Sequence, residues 1–288
     1  MKKLKKNTTT FNVMLAHSYN KKEFDRDSFI QPKLDGIRCY ITKDGAFSRN
    51  HKEFKTVDHI KNEFKNLFEK LPNLVVDGEL YNHQFKDNFN KIVSLVRKQK
   101  PNVEDIKNAV KYIQFHWYDY HDIDYKSGEG LDFRTRNFNI KDAIEKMNSK
   151  HIIDVSTYKV SIISSAKLRH KEFLKQGYEG SILRLNKSYE QKRSYNLQKF
   201  KDFRDSEAEI IGWVEGQGKR TGTIGKFLAR DADGNEFGMP VMDKYDIMSC
   251  MYDIADWYIG KTATFTYFQR TPAGSYRHPL FKCIRNYE

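Results

Sequence analysis

Three cysteines, Cys39, Cys250 and Cys283, are all that the 288 residues contain. They are an odd number, far apart, without a Cys-x-x-Cys pair. That excludes a disulfide framework and a structural zinc site, and it suits a reducing, intracellular (cytoplasmic) setting. No apolar stretch is long enough to span a membrane. The opening Met1-Lys2-Lys3-Leu4-Lys5-Lys6 is basic, but polar Asn7-Thr8-Thr9-Thr10 follows where a signal peptide would need its apolar core, so it reads as a frayed basic arm. The nine histidines show no His-Glu-x-x-His spacing. Gly216, Gly218 and Gly222 miss the dinucleotide fingerprint, whose third glycine would fall on Thr221, and read as hairpin glycines. There is no internal repeat and no low-complexity tract beyond the basic start. Acid is also in short supply: 38 acidic residues against 51 lysines and arginines leave a net charge of +13. That imbalance favours polyanionic partners through phosphate neutralisation and counterion release.

What is present is a folded protein. Hydrophobic residues make up 39% and charged residues 31%, with 20 phenylalanines and 17 tyrosines, and the length suits about two domains with their own cores. Phe29-Ile30 leads into Lys33-Leu34-Asp35-Gly36-Ile37-Arg38 and the strand-like Cys39-Tyr40-Ile41. Lys43-Asp44-Gly45 then turns the chain into Ala46-Phe47-Ser48-Arg49-Asn50, a hairpin signal. Ile60, Phe64, Leu67, Phe68 and Leu71 recur at helical spacing, with Thr56 or Asp58 as N-cap and Pro72 as a stop. A strand carries Asp77-Gly78-Glu79-Leu80. The stretch 89–112 reads as helix in two pieces broken near Lys100-Pro101. Ile113 to Tyr120 is a dense aromatic strand, in which alternation puts His116 and Tyr118 on one face and Phe115 and Trp117 on the other. Helices are expected over 136–147 and 165–175, the latter ending at Gly177. Glu179-Gly180-Ser181-Ile182-Leu183-Arg184 opens a further strand, 186–196 is a polar loop, and Leu197 to Lys201 alternates two lysines with apolar residues. Past a composition shift at Phe203–Ser206, strands are expected over 208–214, 225–230, 261–268 and 280–284, with one helix over 244–258. Short strands with glycine corners suit a small barrel of the oligonucleotide/oligosaccharide-binding (OB) kind.

Lys33 sits at a strand end, where Gly36 allows close approach of a ligand to the backbone. A lysine there can act as a nucleophile when burial or neighbouring cations keep it neutral. Five motifs stand in order: Lys-x-Asp-Gly-x-Arg at Lys33 to Arg38, Asp-Gly-Glu-Leu at Asp77 to Leu80, Tyr118-Asp119, Glu-Gly-x-x-x-Arg at Glu179 to Arg184, and Lys-x-Lys at Lys199 and Lys201. Over nearly the whole chain that series resembles the covalent nucleotidyltransferase superfamily, and with the short barrel it is similar to the compact viral or bacterial ATP-dependent DNA ligases.

The resemblance implies an α+β fold: an ATP-grasp-like nucleotidyltransferase domain of antiparallel sheets and helices over 1–204, and an OB-fold β-barrel over 205–288, with a hinge near 202–206. It implies that Lys33 takes AMP from ATP as a phosphoramide, and that Lys199 and Lys201 contact the α-phosphate. Glu179, with Glu79, would hold Mg2+; Glu79 and Arg38 would contact the ribose and Asp35 would support the site. Tyr118 would stack on the adenine, with Phe115 and Trp117 competing for that role. Arg49 and Arg193 match phosphate-facing arginines, Arg49 for the 5′-phosphate of a nick. The partner implied is nicked duplex DNA, bound by a monomer, with no membrane. At the end of the chain Arg285-Asn286-Tyr287-Glu288 departs from the expected Arg-x-Asp-Lys: Arg285 is kept and the lysine is not, which leaves Lys282 or Arg277 to face the leaving group. The same lysine chemistry would serve an mRNA-capping guanylyltransferase or an RNA ligase, and a non-catalytic nick-binding protein would keep the fold alone. The NAD-dependent branch is excluded by its cysteine zinc site, which has no counterpart here.

Overall fold

The computed structural model describes residues 11–19, 24, 26–200, 203–271 and 274–285. Residues up to Phe200 and those from Lys201 onward form two compact units. The first opens with β1 (Leu15–Ser18), β2 (Ser28–Lys33), β3 (Ile37–Thr42), β4 (Gly45–Ser48), α1 (Asp58–Glu63), α2 (Lys65–Lys70) and β5 (Leu74–Tyr81). It continues with α3 (Phe89–Val96), α4 (Val103–Tyr112), β6 (Gln114–Asp122), α5 (Phe133–Met147), β7 (Ile152–Asp154), β8 (Tyr158–Val160), α6 (Ile163–Lys175), β9 (Gly180–Leu185) and β10 (Arg193–Phe200). Two five-stranded sheets result, ordered β1-β10-β9-β2-β8 and β4-β3-β5-β6-β7. Pairing is antiparallel except for β1 with β10 and β6 with β7.

Period-2 alternation decides what each sheet buries. Ile37, Cys39 and Ile41 of β3, Val76 and Leu80 of β5, and Phe115 and Trp117 of β6 enter a core with Phe64, Phe68 and Ile92 from the helical side. Ile30, Leu183 and Phe200 of the other sheet pack on Ala166 and Phe173 of α6. The remaining face of each sheet carries the charged residues.

Several boundaries differ from expectation for local reasons. The helix expected over 56–71 is two, α1 and α2, meeting at Phe64, whose ψ near 0° breaks the helical path while its ring stays buried. Neither Thr56 nor Asp58 caps α1: Val57 is the N-cap, and the Thr56 hydroxyl donates instead to Val96 O at 3.2 Å. Asn102 and Asp105 form a reciprocal capping box that starts α4 just past Pro101. Residues 193–196, expected as loop, are strand because β10 gains β1 as a parallel partner.

The second unit contains β11 (Arg204–Glu215), β12 (Ile224–Arg230), β13 (Glu236–Pro240), α7 (Tyr245–Asp253), β14 (Thr262–Tyr267), β15 (Gln269–Arg270), β16 (Tyr276–Arg277) and β17 (Leu280–Ile284). Its main sheet is antiparallel throughout, ordered β13-β12-β11-β14-β17, and the edge strands β13 and β17 approach one another. Ile210, Phe227, Met239 and Phe265 fill its core. The single helix expected here divides into α7 and a 3-10 turn, Ala255–Tyr258. Among the described residues no helix is long and apolar enough to cross a membrane.

Candidate functional site

Lys33 ends β2, and its cross-strand partner is Gly180 of β9. The backbone N–H of Glu179 donates to Lys33 O at 3.2 Å, which brings the two side chains together as an ion pair. The Lys33 side chain is 23% exposed and that of Glu179 only 4%. Gly180 has φ +154°, and a Cβ there would lie 2.4 Å from Phe200 O, so the close approach of β9 to β10 beside the lysine requires glycine. By the same register, Gln31, Lys33, Ile182, Arg184, Leu197 and Lys199 share one face of the sheet, away from α6. Lys199 thus lies two strands from Gln31 on the lysine face, and Lys201 falls outside the described residues.

The second sheet contributes carboxylates. Arg38 pairs with Glu79 across β3 and β5. Its guanidinium binds Asp77 in bidentate fashion, Nε to Oδ1 at 2.9 Å and Nη2 to Oδ2 at 2.5 Å. The Tyr189 hydroxyl donates to the same Asp77 Oδ2 at 2.7 Å and accepts from Met14 N. Asp35 lies between β2 and β3, close enough to Tyr81 for its charge to help burial raise that phenol. Burial pushes the Glu79 carboxyl up to about 7; Lys33 and Arg38 oppose the shift, and Asp77 and Glu179 add to it. This makes Glu79 an acid poised to exchange a proton near neutrality.

Strand β6 carries a bulge that the sequence does not announce. Asp77 pairs with Asp119, yet the next residue, Gly78, pairs with Trp117, which leaves Tyr118 as the extra residue. Up to Tyr118 the alternation holds: Phe115 and Trp117 enter the core, and the Tyr118 hydroxyl reaches Glu79 Oε2 at 3.3 Å. Past the bulge the phase inverts, so Tyr118 and Asp119 turn to the same side. Both meet Arg184: its Nη1 donates to Asp119 Oδ2 at 2.6 Å, and its Cζ lies 5.2 Å from the Tyr118 ring centroid. Arg38 Cζ stands 5.4 Å from that ring. Arg184 Nε also donates to Gln31 Oε1 at 2.6 Å within its own sheet, so the bond to Asp119 is the one that ties the two sheets together. A second guanidinium, Arg136, holds Asp119 through Nε at 2.6 Å. Burial alone would raise the Asp119 carboxyl, but Arg136 and Arg184 hold it below the usual range.

Asp77, Asp119, Arg136, Arg184 and Tyr189 had no role in the sequence reading, although Asp77, Asp119 and Arg184 lie inside its motifs. The available signal was acid or arginine at inward positions of strands otherwise rich in Val, Leu and aromatics. Other arginines stand apart. Arg49 is exposed on the turn after β4. Arg193 Nη1 donates to Ala16 O at 2.6 Å. In the second unit Arg285 Nη1 pairs with Glu207 at 2.9 Å and Lys282 with Asp205 at 2.6 Å. Among the described residues no group of three or more His, Cys, Asp or Glu side chains is arranged to hold a metal ion.

This chain is similar to proteins of known identity. A DNA ligase of African swine fever virus (strain Badajoz 1971) is 26% identical over 214 residues, covering 70% of this chain and 48% of that protein. A DNA ligase of Haemophilus influenzae is 23% identical over 232 residues, covering 77% and 75%. The chain spans about half the length of the viral relatives it matches. A solved structure from a study of DNA binding by the minimal scaffold of Lig E DNA ligases superposes with a TM-score of 0.77 over 96% of this chain and 100% of that one, at 22% identity, so the fold is shared. Residues 13–201, most of the first unit and over half of the sequence, match a described family, and the chain belongs to it: the ATP dependent DNA ligase domain family.

Proposed function

We propose that this chain seals nicks in duplex DNA with ATP, through a covalent lysyl-AMP. One observation carries the reading: β2–β9 register brings Lys33 against Glu179 at the mouth of a charged, two-sheet cleft. The Lys33 amine attacks the α-phosphorus of ATP; a P–N bond forms as the nitrogen gives up a proton, and pyrophosphate leaves with its electron pair. A nick's 5′-phosphate oxygen then displaces the lysine to form a DNA-adenylate. Finally the 3′-hydroxyl attacks that activated phosphate, loses its proton, and AMP departs. Lys199, on the lysine face, suits neutralisation of α-phosphate charge, and Lys201 is assigned the same role from its motif. Arg38, fixed by Asp77, and Glu79 fit the ribose. Asp35 supports the turn beneath the nucleotide, and Tyr118, whose hydroxyl is fixed by Glu79, offers its ring to the base.

Glu179 and Glu79 supply hard oxygen donors of the kind Mg2+ takes in ones and twos beside substrate phosphates, so the donor set fits that ion. Bound there it would neutralise phosphate charge. Arg49, exposed, fits a 5′-phosphate, and Arg193 and Arg285 fit backbone phosphates if their present partners yield. The antiparallel five-stranded main sheet of the second unit fits an OB barrel, in which β11 to β13 form a meander and β14 returns to pair with β11. We take the domains as 1–204 and 205–288 and the working form as a monomer. Free thiols at Cys39, Cys250 and Cys283 suit an intracellular compartment, and viral relatives suit a virus-encoded enzyme acting in the host cell.

Incubation with Mg2+ and α-labelled ATP or GTP tests this. Label from ATP should remain on the denatured chain, vanish in Lys33→Ala, and be discharged by a nicked duplex with sealing. Label from GTP alone would replace the proposal with a capping activity, and no label would leave a nucleic-acid-binding protein.

A further inference from the structure

Between residues 242 and 259 of the second unit six large apolar side chains stand in solvent: Met242, Tyr245, Ile247, Ile254, Trp257 and Ile259, each 44% to 62% exposed. Single exposed apolar residues are ordinary, whereas a run of them on one element marks an interaction surface. Helix α7 and its C-terminal end bring two of them, Ile247 and Ile254, onto one stripe. Met248 points into the core of the unit, and Ile247, Cys250, Met251 and Ile254 recur at i, i+3, i+4 and i+7. Together with Asp246 and Tyr258 they line a shallow groove. Ile247, Cys250 and Ile254 of this stripe stay exposed on the unit, while Met251 and Tyr258 also pack on its core.

Charge selects the occupant. Four aspartates, Asp243, Asp246, Asp253 and Asp256, lie in this stretch against one lysine, Lys244, in a chain whose net charge is +13, with Arg220 on Met242 and Lys261 on Trp257 as cations at its edges. Asp256 also accepts from Trp213 Nε1 at 2.8 Å. A phosphate backbone is repelled from such a face, and cations are drawn to it. The structure already shows the preference: the Lys261 ammonium rests 3.8 Å from the Trp257 ring centroid. A segment with apolar residues at helical spacing, flanked by lysines or arginines, satisfies both the stripe and the aspartates. We propose that this acidic, apolar face of α7 docks a basic amphipathic segment of a partner protein. None of its residues belongs to the cleft around Lys33, so the inference stands apart from the ligase reading.

The test uses the full chain and three synthetic peptides of about 18 residues, roughly five helical turns: leucines at helical spacing with lysines between, the same peptide with glutamates for lysines, and a scramble of the first. Hydrogen–deuterium exchange should slow across 245–258 with the lysine peptide alone. Ile254→Glu, Asp246→Lys and Asp253→Lys should each weaken its binding at least ~tenfold. Labelling of Lys33 by ATP should stay unchanged, and unaltered thermal midpoints, with Ile254→Ser as a milder second variant, keep misfolding from imitating the result. Equal binding of the glutamate peptide, protection lying elsewhere, or protection by duplex DNA would each overturn the proposal. So would a dimer in sedimentation that Ile254→Glu dissociates, because a second copy would then cover the face.

Discussion

At the scale of single residues, the cleft rests on charges removed from water and repaid only by one another. Asp119 accepts from Arg136 and Arg184, and all three are buried. Asp119→Asn would strand two guanidiniums, so we expect a loss of about 3 kcal/mol in denaturant unfolding. Replacing Asp27, whose ion pairs with Arg134 and Lys159 stand in reach of water, should move the unfolding midpoint far less. The contrast also explains what the sequence made legible. Lys33, Arg38, Glu79 and Glu179 could be put forward as candidates because their motifs set those residue types at fixed positions along strands. Arg184 and Tyr189 could not be placed, since their partners, Asp119 and Asp77, lie 65 and 112 residues away in the chain. Nothing local encodes such a contact.

At the scale of elements, strand pairing positions Lys33, the proposed nucleophile. Gly180→Ala would place its Cβ against Phe200 O at a positive φ and push β9 away from β10. We expect a loss of about 1–3 kcal/mol, together with a fall in the rate of Lys33 labelling, read as a lower kcat with ATP affinity less affected. Histidines on two elements make stability depend on pH. Burial, reinforced by His151, pushes His59 of α1 down to about 4, and burial, reinforced by His83, does the same to His116 of β6. Each is neutral when folded and protonates near 6.5 when unfolded. The unfolded chain therefore binds more protons between these values, and stability must fall as pH drops from about 6.5 to about 4. Urea midpoints across that range should fall less steeply in His59→Gln and His116→Gln than in the parent. Elements were least legible where they are short: β7 and β8 have three residues each, and β13 carries a glycine and a proline. Their strand character comes from partners rather than from their own periodicity.

At the scale of the whole molecule the excess of 13 positive charges has a thermodynamic signature. Binding of nicked duplex should weaken linearly in log–log fashion as salt rises, whereas Lys33 labelling by ATP without DNA should respond far less. A flat salt response of DNA binding, measured by fluorescence anisotropy, would show that few phosphates are neutralised. The change of composition near Phe203 leads to an expected boundary at 204/205, and the structure divides the chain between Phe200 and Lys201.

The extra residue at Tyr118 gives β6 a change of parity. Before it, even-numbered residues face the cleft; after it, odd-numbered ones do, as His121 stacked on Tyr189 shows. Deleting a residue of β6 on either side of Tyr118 would shift its neighbours by one and turn side chains of one face to the other, and deleting Tyr118 itself would remove the ring that Arg38 and Arg184 approach, whereas substitutions leave the count intact. The strand therefore tolerates spelling changes but not a change of length, and descendants of this gene should drift in letters along β6 while keeping its number of residues fixed.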